Sequence, residues 1–299
     1  MRTTESNKRN KTMTVRSAVA RLTDNERLNF MLTNRIPRRA LTRFAGWFSK
    51  IEQPLVRDLS IATWRLFCDV DLSDAKKATF RSLHDCFIRE LREGARPVDT
   101  SAKMLVSPCD GIIGASGKVA DLRLLQVKGS AYTVEELLRD RELAALYRHG
   151  SYVTLRLTAG MYHRFHAPHA CSVAQVTHIA GDAWNVNPAT LKRIDKVYCK
   201  NERAVLRLDL AGVGVVTLVA VAAVLVGGIR LRFLDLPLAR RRGDWTTRLS
   251  DVRLAKGEEM GWFEHGSTII VLAPDGFNLC EAVRPGAPLR MGLPIMALT

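Results

Sequence analysis

The chain has 299 residues and an apolar fraction of 47%, which is enough for one large globular domain with an appendage and excludes a wholly disordered chain. Its formal net charge of +15 favours anionic partners, namely nucleic acid, anionic lipid or acidic substrates. The six cysteines include no C-x-x-C pair, which argues against a zinc site or a disulfide framework and favours a reducing compartment.

Residues 1–27 are predicted to form a basic flexible tail. The first 50 residues hold twelve Lys or Arg and three Asp or Glu. We find no zinc-finger spacing, no RNP-like aromatic motif and no basic recognition helix, so nucleic-acid binding is not predicted and a solvated basic arm remains the alternative. Residues 1–16 have no apolar core, which argues against a secretory signal, while a mitochondrial transit peptide stays open.

A basic amphipathic helix is predicted next. Leu41, Phe44, Phe48 and Ile51 recur at spacings of three and four, with Trp47 beside them. Aromatics on a basic helix suit an anchor at a membrane interface. A helix packed on the protein's own core would have the same periodicity, so the pattern alone leaves both interpretations open.

Two further helices are predicted before residue 100. Pro54 suits the first turn of the second helix, whose apolar stripe is Leu55, Leu59, Ala62 and Leu66. The third is predicted from about Asp74 to Gly94, with one face made by Phe80, Leu83, Phe87 and Leu91.

From residue 101 the pattern changes to short apolar runs separated by Gly, Pro and Asn, which predicts a β-rich catalytic domain over 101–299. The predicted strands are 104–106, 111–115, 152–157, 173–179, 204–210, 215–226 and 268–272. One helix is predicted within 133–147, with Thr133 as N-cap and Glu136 completing a capping box. The predicted fold is therefore α+β: N-terminal amphipathic helices, then a β-rich domain of barrel-like or sandwich-like form.

The uncharged run 210–229 is long enough to cross a bilayer. It is rich in Val and interrupted by Gly212, Gly214, Gly227 and Gly228. Valine-rich runs broken by glycine favour two buried strands with a turn over a membrane-spanning helix.

Three histidines and one aspartate are candidates for proton chemistry. His163, His166 and His169 recur at intervals of three, and three imidazoles can form a metal site. Pro168 argues against one helix presenting all three, so general acid–base work is favoured. Asp110 ends a predicted strand before a glycine, where Asp-Gly alone is chiefly a turn signal.

The Gly266–Ser267 bond permits an unusual reaction. Glycine leaves the approach to its carbonyl carbon open, so the Ser267 hydroxyl can attack it and form an ester. Elimination of that ester followed by loss of ammonia leaves a pyruvoyl group at residue 267. In isolation the Gly-Ser pair is unremarkable.

Together, these motifs resemble those of the phosphatidylserine decarboxylase family over roughly residues 28–295. The pattern is Ser-Pro-x-Asp-Gly, then Tyr-His-Arg-x-His-x-Pro, then Lys-Gly-Glu-Glu-Met-Gly-x-Phe-x-x-Gly-Ser-Thr. Segments 87–99 and 181–187 also match family segments. His265 stands where the family has leucine, which puts the cleavage rate and the local pKa in question.

The resemblance implies a self-cleaving proenzyme. Its triad would be Asp110, His166 and Ser267, and the cut at Gly266–Ser267 would give a β chain, 1–266, and an α chain, 267–299, as a heterodimer. The covalent pyruvoyl group would form a Schiff base with the amine of phosphatidylserine, release CO2 and yield phosphatidylethanolamine. His163 would donate and accept the proton in decarboxylation, and no metal would be needed. Higher homo-oligomers are left open.

The lipid substrate implies an interfacial enzyme. Residues 28–100 would associate with anionic membrane, and Phe44, Trp47 and Phe48 would insert at headgroup depth. The expected location is the cytoplasmic face of the bacterial inner membrane, with the mitochondrial inner membrane as the less favoured alternative.

The sequence leaves two alternative functions open. An ordinary serine hydrolase is the first, although Ser267 lacks the G-x-S-x-G elbow. The second is a basic scaffold that binds lipid or nucleic acid and has no catalytic activity.

Overall fold

The computed structural model describes residues 38–127, 130–223, 228–234, 238, 243–264 and 267–299. The predicted tail, 1–27, lies outside the described residues, as do 28–37 of the predicted helical region and His265 and Gly266 of the predicted cut. The helices of the described part are α1 (Arg38–Phe48), α2 (Pro54–Phe67), α3 (Leu83–Phe87), α4 (Val134–Leu138), α5 (Arg141–Ala145), α6 (Pro188–Leu191) and α7 (Val197–Lys200).

The strands of the described part follow the first three helices and carry most of the core. They are β1 (Met104–Val106), β2 (Gly111–Lys118), β3 (Arg123–Val127), β4 (Ser130–Thr133), β5 (Ser151–Leu157), β6 (Arg164–His166), β7 (Cys171–Ile179), β8 (Arg203–Leu210), β9 (Gly214–Ala222), β10 (Ile229–Leu231), β11 (Trp245–Arg248), β12 (Arg253–Leu254), β13 (Glu259–Phe263), β14 (Ser267–Ala273), β15 (Phe277–Leu279), β16 (Pro288–Leu289) and β17 (Pro294–Leu298).

The first two helices form as predicted, but their apolar faces are not core. Gln53 caps α2 by accepting a hydrogen bond from Val56 N at 2.8 Å, and Pro54 occupies the first turn. Helix α2 has no buried residue, and Leu55 and Leu59 are 72% and 65% exposed. The predicted stripe therefore forms an apolar surface rather than a buried seam.

The third predicted helix is wrong in extent, since only Leu83–Phe87 is helical. Ser82 begins it by accepting a hydrogen bond from Asp85 N at 3.1 Å. The flanking residues instead form a backbone bridge between Ala75 and Leu91. Those tertiary hydrogen bonds take the backbone groups that a longer helix would need, so they override helix propensity.

Within the described residues the largest sheet has nine strands, in the order β11-β7-β8-β9-β14-β5-β2-β16, with β12 also on β7. Strand β14 lies between β5 and β9, and all seven of its residues are buried. Strands β11 and β16 end this order without pairing to each other, so the sheet is open over the described part of the chain. The α+β fold with a β-rich domain is thus confirmed.

The uncharged run 210–229 is largely strand, as predicted. Strands β8 and β9 pair antiparallel across a turn, where Gly212 and Gly214 have φ of +71° and +126°. Residues 224–227 lie outside the described part. No helix among the described residues is long and apolar enough to cross a membrane.

The predicted helix within 133–147 is two short helices. Thr133 and Glu136 form the predicted capping box at the start of α4. Arg139 then adopts a left-handed conformation, with φ of +52°, and the side chain of Asp140 caps α5. A left-handed residue cannot continue an α-helix, so the chain breaks there.

The predicted cleavage point lies between the nine-stranded sheet and a smaller three-stranded sheet. Strand β13 belongs to the sheet β10-β13-β6, whereas β14 belongs to the nine-stranded sheet. A cut between residues 266 and 267 therefore falls between strands of two different sheets. The segment after the cut supplies β14, β15, β16 and β17, which pair with β5, β9, β2 and β1 of the preceding segment and with each other.

Candidate active site

Ser267 is the first residue of β14, where its backbone lies opposite Leu157 of β5 and Ala222 of β9. The residue is fully buried, and its Oγ has no hydrogen-bond partner among the described residues. A buried hydroxyl without a partner carries an energetic cost and marks a functional candidate.

Ser267 lines a cavity of about 470 Å³, which is within the usual size range of small-molecule sites. Trp64 and Phe87 contribute from the helical region, and Asn185 and Asn187 from the 181–187 segment. The sequence resemblance included that segment without giving it a role. The structure places Asn185, Val186 and Asn187 in the lining of this cavity.

His166 is buried at the end of β6, and both of its ring nitrogens are engaged. Its Nδ1 lies 2.9 Å from the carbonyl oxygen of Gly257, which can only accept, so Nδ1 carries the proton. Its Nε2 then accepts a hydrogen bond from the Tyr162 hydroxyl at 3.0 Å. Burial lowers the His166 pKa from 6.5, against the opposing effect of the Gly257 hydrogen bond. A neutral histidine is the form that accepts a proton.

Asp110 is held by Arg96 rather than by His166. The guanidinium donates from Nε to Oδ1 at 2.9 Å and from Nη2 to Oδ2 at 2.7 Å, and Met291 N donates to Oδ1 at 2.9 Å. Asp110 and Tyr162 line a second cavity of about 320 Å³. The two cavities are neighbours, since Ala159 lines the first and Gly160 the second.

His163 lies against the wall of the Ser267 cavity. It is fully buried, and its Nδ1 donates to the carbonyl oxygen of Met161 at 2.8 Å. Its ring centroid is 3.9 Å from that of Phe87, which lines the cavity. This contact places His163 one aromatic ring away from the cavity that Ser267 faces.

The three histidines do not converge on a common point. His163 binds Met161 O and His166 binds Gly257 O, while the half-buried His169 lies 2.8 Å from Ala102 O. No group of three or more His, Cys, Asp or Glu is arranged to hold a metal within the described ranges.

Arg164, between two of these histidines, ties the 87–99 segment to β13. Its Nη1 donates to Glu259 Oε1 at 2.7 Å, and its Nε donates to Ile88 O at 2.8 Å. Its guanidinium also lies 5.3 Å from the ring centroid of Trp262. Arg164 thereby packs a wall of the first cavity against the strand that leads to the predicted cut.

Among the predicted site residues, Asp110 and His166 lie close together, whereas Ser267 lines the neighbouring cavity. His166 N donates to Pro108 O at 2.7 Å, which holds the Asp110 turn beside β6. Within the described part of the chain, no hydrogen bond links Asp110 to His166 or His166 to Ser267. The roles assigned to these residues stay predictions.

Sequence reasoning missed Arg96, which binds Asp110, and Arg156, which lines the Ser267 cavity. Arg156 had a detectable signal, because it is the one charged residue in the predicted strand 152–157. Arg96 had no sequence signal beyond its place in the 87–99 segment.

Comparison with known proteins identifies the same family that the sequence motifs resemble. A sequence model of the phosphatidylserine decarboxylase family matches residues 83–297. The phosphatidylserine decarboxylase proenzyme of Citrobacter koseri is 34% identical over 276 residues, which cover 88% of this chain and 85% of that protein. The proenzyme of the same name from Escherichia coli, strain K12, is 33% identical with the same coverage.

Proposed function

The chain belongs to the phosphatidylserine decarboxylase family, and on that premise we propose that it is a proenzyme that cuts itself at Gly266–Ser267. The enzyme converts phosphatidylserine to phosphatidylethanolamine and CO2, a step of phospholipid biosynthesis. The observation that carries the self-cleavage proposal is the buried Oγ of Ser267, which has no partner among the described residues in a residue that lines a cavity of about 470 Å³.

Self-cleavage begins when a base takes the proton of the Ser267 hydroxyl. His166 is suited to be that base because burial favours its neutral form. Oγ attacks the Gly266 carbonyl carbon, the C–N bond to Ser267 breaks, and the freed amine takes a proton, which leaves an ester. Loss of the Ser267 α-proton then expels the Gly266 carboxylate and leaves dehydroalanine. Water replaces the nitrogen, which departs as ammonia, and residue 267 becomes pyruvoyl.

Asp110 takes part in this proposal through its charge. Its carboxylate is fixed by Arg96 and favours the protonated form of His166, although burial outweighs this effect. It therefore stabilises the imidazolium that forms while His166 holds the serine proton. The Gly257 carbonyl, rather than Asp110, fixes the ring orientation of His166 in the described structure.

The pyruvoyl group would supply the electron sink that decarboxylation requires. The chain's own residues fit such a group, since residue 267 lines a cavity together with the apolar side chains of Phe87 and Trp64. His163 is the proposed proton donor and acceptor. Its Nδ1–H is occupied by Met161 O, so Nε2 is the atom that exchanges the proton.

The two chains would stay together after the cut. Strand β14 would become the N-terminal strand of the α chain, and it is hydrogen-bonded on one side to β5 and on the other to β9. Strands β16 and β17 add pairs with β2 and β1. Separation would require breaking the centre of the main sheet, so a stable heterodimer is expected.

Residues 28–100 are proposed to associate with anionic membrane. Phe44 and Trp47 on α1 are 57% and 63% exposed, and the stripe on α2 is exposed as well. Exposed apolar side chains with basic neighbours such as Arg43 are typical of an interfacial helix. Because Trp64 on α2 also lines the Ser267 cavity, this surface would hold the cavity next to the lipid headgroups.

Intact-mass spectrometry of purified protein tests the proposal. We expect a small chain of residues 267–299 with the mass of a pyruvoyl N-terminus, and its β-chain partner. The variant Ser267→Ala should remain one chain and release no CO2 from phosphatidylserine. The matched control Ser250→Ala changes an exposed serine and should be cut normally. A single intact chain in active protein would refute the proposal and favour an ordinary serine hydrolase.

A further inference from the structure

Arg156 lies in the same cavity as Ser267 and has no role in the chemistry described above. It is the residue of β5 just before Leu157, whose backbone is paired with Ser267. Strand β5 ends and β14 begins at this point. Side chains from both faces of the strand pair can therefore reach the cavity over its end, and Arg156 and Ser267 both line it.

Arg156 differs from the buried arginines of the described part in having no donor engaged at all. Even Arg89, whose Nε and Nη1 lack partners there, donates from Nη2 to Gly160 O. Arg96 binds Asp110 and Asp74, and Arg164 binds Glu259. Arg203 donates to four backbone carbonyls. Arg156 is half-buried, yet among the described residues it makes no hydrogen bond and no ion pair.

The surroundings of Arg156 supply hydroxyl groups. Thr268 lies directly opposite it on β14, and Tyr198 is close enough to interact with its charge. The Thr268 Oγ1 and the Tyr198 hydroxyl are both buried without a hydrogen-bond partner in the described part of the chain. Burial lowers the Arg156 pKa, as expected for a cation that has lost water without gaining a carboxylate. A bound anion would remove that penalty.

We propose that Arg156 binds the phosphodiester of the phosphatidylserine headgroup and so determines that the enzyme takes a phospholipid rather than a simple serine derivative. This inference rests on the proposed function, because it takes the amine of the substrate to be held at residue 267. Only the short Cα–Cβ–O link separates that amine from the phosphorus atom. The planar guanidinium is suited to two phosphate oxygens at once.

The substrate's carboxylate is the less favourable partner for Arg156. That group leaves as uncharged CO2, so a guanidinium bound to it would stabilise the ground state and lose the contact in the transition state. The phosphodiester keeps its charge throughout the reaction. Binding energy from this unreactive group stabilises the ground state and the transition state equally, so it lowers KM without raising kcat.

The test compares two soluble substrates in the fully cleaved enzyme. One is a short-chain phosphatidylserine, and the other is O-hexyl-L-serine, which has the same amine and carboxylate but no phosphate. For Arg156→Gln we expect kcat/KM on the phospholipid to fall about 10- to 100-fold, mainly through KM. The rate on O-hexyl-L-serine should not change. Arg156→Lys should recover part of the loss.

Arg207→Gln is the matched control, because Arg207 is also half-buried but pairs with Asp209 away from the cavity. A second measurement does not depend on the stability of the Gln variant. Glycerophosphoglycerol, a phosphodiester without amine or carboxylate, should compete with substrate in wild type and more weakly in Arg156→Lys. Three results would overturn the assignment. The Arg156→Gln variant could lose activity equally on both substrates, or its kcat could fall at unchanged KM. Alternatively, glycerophosphoglycerol could compete equally well in wild type and Arg156→Lys.

Failure of the proposed function can be distinguished from failure of the phosphate assignment. If wild type is not cut at Gly266–Ser267 or releases no CO2 from phosphatidylserine, the proposed function fails and Arg156 loses its role with it. If wild type is cut and active while the Arg156 variants behave like Arg207→Gln, only the phosphate assignment is wrong.

Discussion

Arg96 binds Asp110 side-on, with Nε 2.9 Å from Oδ1 and Nη2 2.7 Å from Oδ2. Both side chains are largely buried, at 10% and 11% exposure, and Arg96 also reaches Asp74 at 2.9 Å. The 87–99 segment of the helical region is thereby fastened to the turn before β2. The carboxylate proposed to support self-cleavage is thus positioned by a residue that lies 14 positions earlier in the chain.

Removing either partner of this pair should destabilise the protein strongly. Arg96→Ala leaves Asp110 as a buried carboxylate with one backbone donor, and we expect a loss of about 3–5 kcal/mol of unfolding free energy. Asp110→Asn should cost less, since Asn keeps one acceptor. Urea titrations in the Ser267→Ala background, where the chain stays whole, measure both. Additive effects in the double variant would contradict direct coupling between the two residues.

Self-cleavage should stay fast below neutral pH. The His166 pKa lies below 6.5 because the ring is buried, so the neutral base persists as the pH falls through 6.5. Tyr162→Phe removes the hydroxyl that donates to Nε2 and favours the neutral ring, so the acid limb of its rate profile should move to higher pH. Chain synthesised in a cell-free system and then shifted to buffers between about pH 5 and about pH 8 gives the rates.

The matched control for that profile is Tyr147→Phe, which removes a buried tyrosine hydroxyl bonded to Thr217 away from the site. It should leave the acid limb in place. An acid limb centred at or above pH 6.5 in wild type would contradict His166 as the buried base.

The seven predicted strand segments and the first two helices could be predicted because their signals are local, whereas short strands such as β6 and β13 were not predicted. Valine-rich alternation, glycine turns and the capping box at Thr133 act within a few residues. The third helix could not be predicted correctly, since the Ala75–Leu91 bridge that shortens it is a tertiary contact. The site residues likewise differ in whether their signal is local. Ser267 and His166 were found through motifs, whereas the bond from His166 to Gly257 joins residues 91 positions apart.

The exposed stripe on α2 should bind membrane without being needed for folding. Leu55→Asp with Leu59→Asp should greatly reduce flotation with vesicles that contain anionic lipid, because two apolar side chains at 72% and 65% exposure would become charged. Thermal unfolding should be nearly unchanged, since neither side chain is buried. Leu146→Asp is the control, as Leu146 is 46% exposed on the β-rich domain.

The basic charge should contribute separately to membrane binding. Flotation of wild type should weaken as salt rises and be stronger with anionic than with neutral vesicles. Equal flotation with both vesicle types would contradict the contribution of charge, and undiminished flotation of the double α2 variant would contradict an anchor on α2.

His84 should make the protein less stable in mild acid. Burial, together with the nearby charges of Lys50 and Arg230, lowers its pKa from 6.5 to about 4, against the opposing effect of Asp85. The unfolded chain therefore binds more protons than the folded chain between these two pH values. The contribution of His84 to unfolding free energy should fall as pH drops through 6.5 and level off below about 4.

The loss of unfolding free energy due to His84 has an upper bound of about 3 kcal/mol, and partial exposure of the ring should reduce it to about 1–2 kcal/mol. Urea titrations of Ser267→Ala with and without His84→Gln, at about pH 7 and about pH 4.5, isolate this effect, because His166 and the carboxylates titrate equally in both proteins. The His84→Gln protein should lose less stability on acidification. An equal loss in both proteins would mean that His84 takes up its proton as readily in the folded state as in the unfolded one.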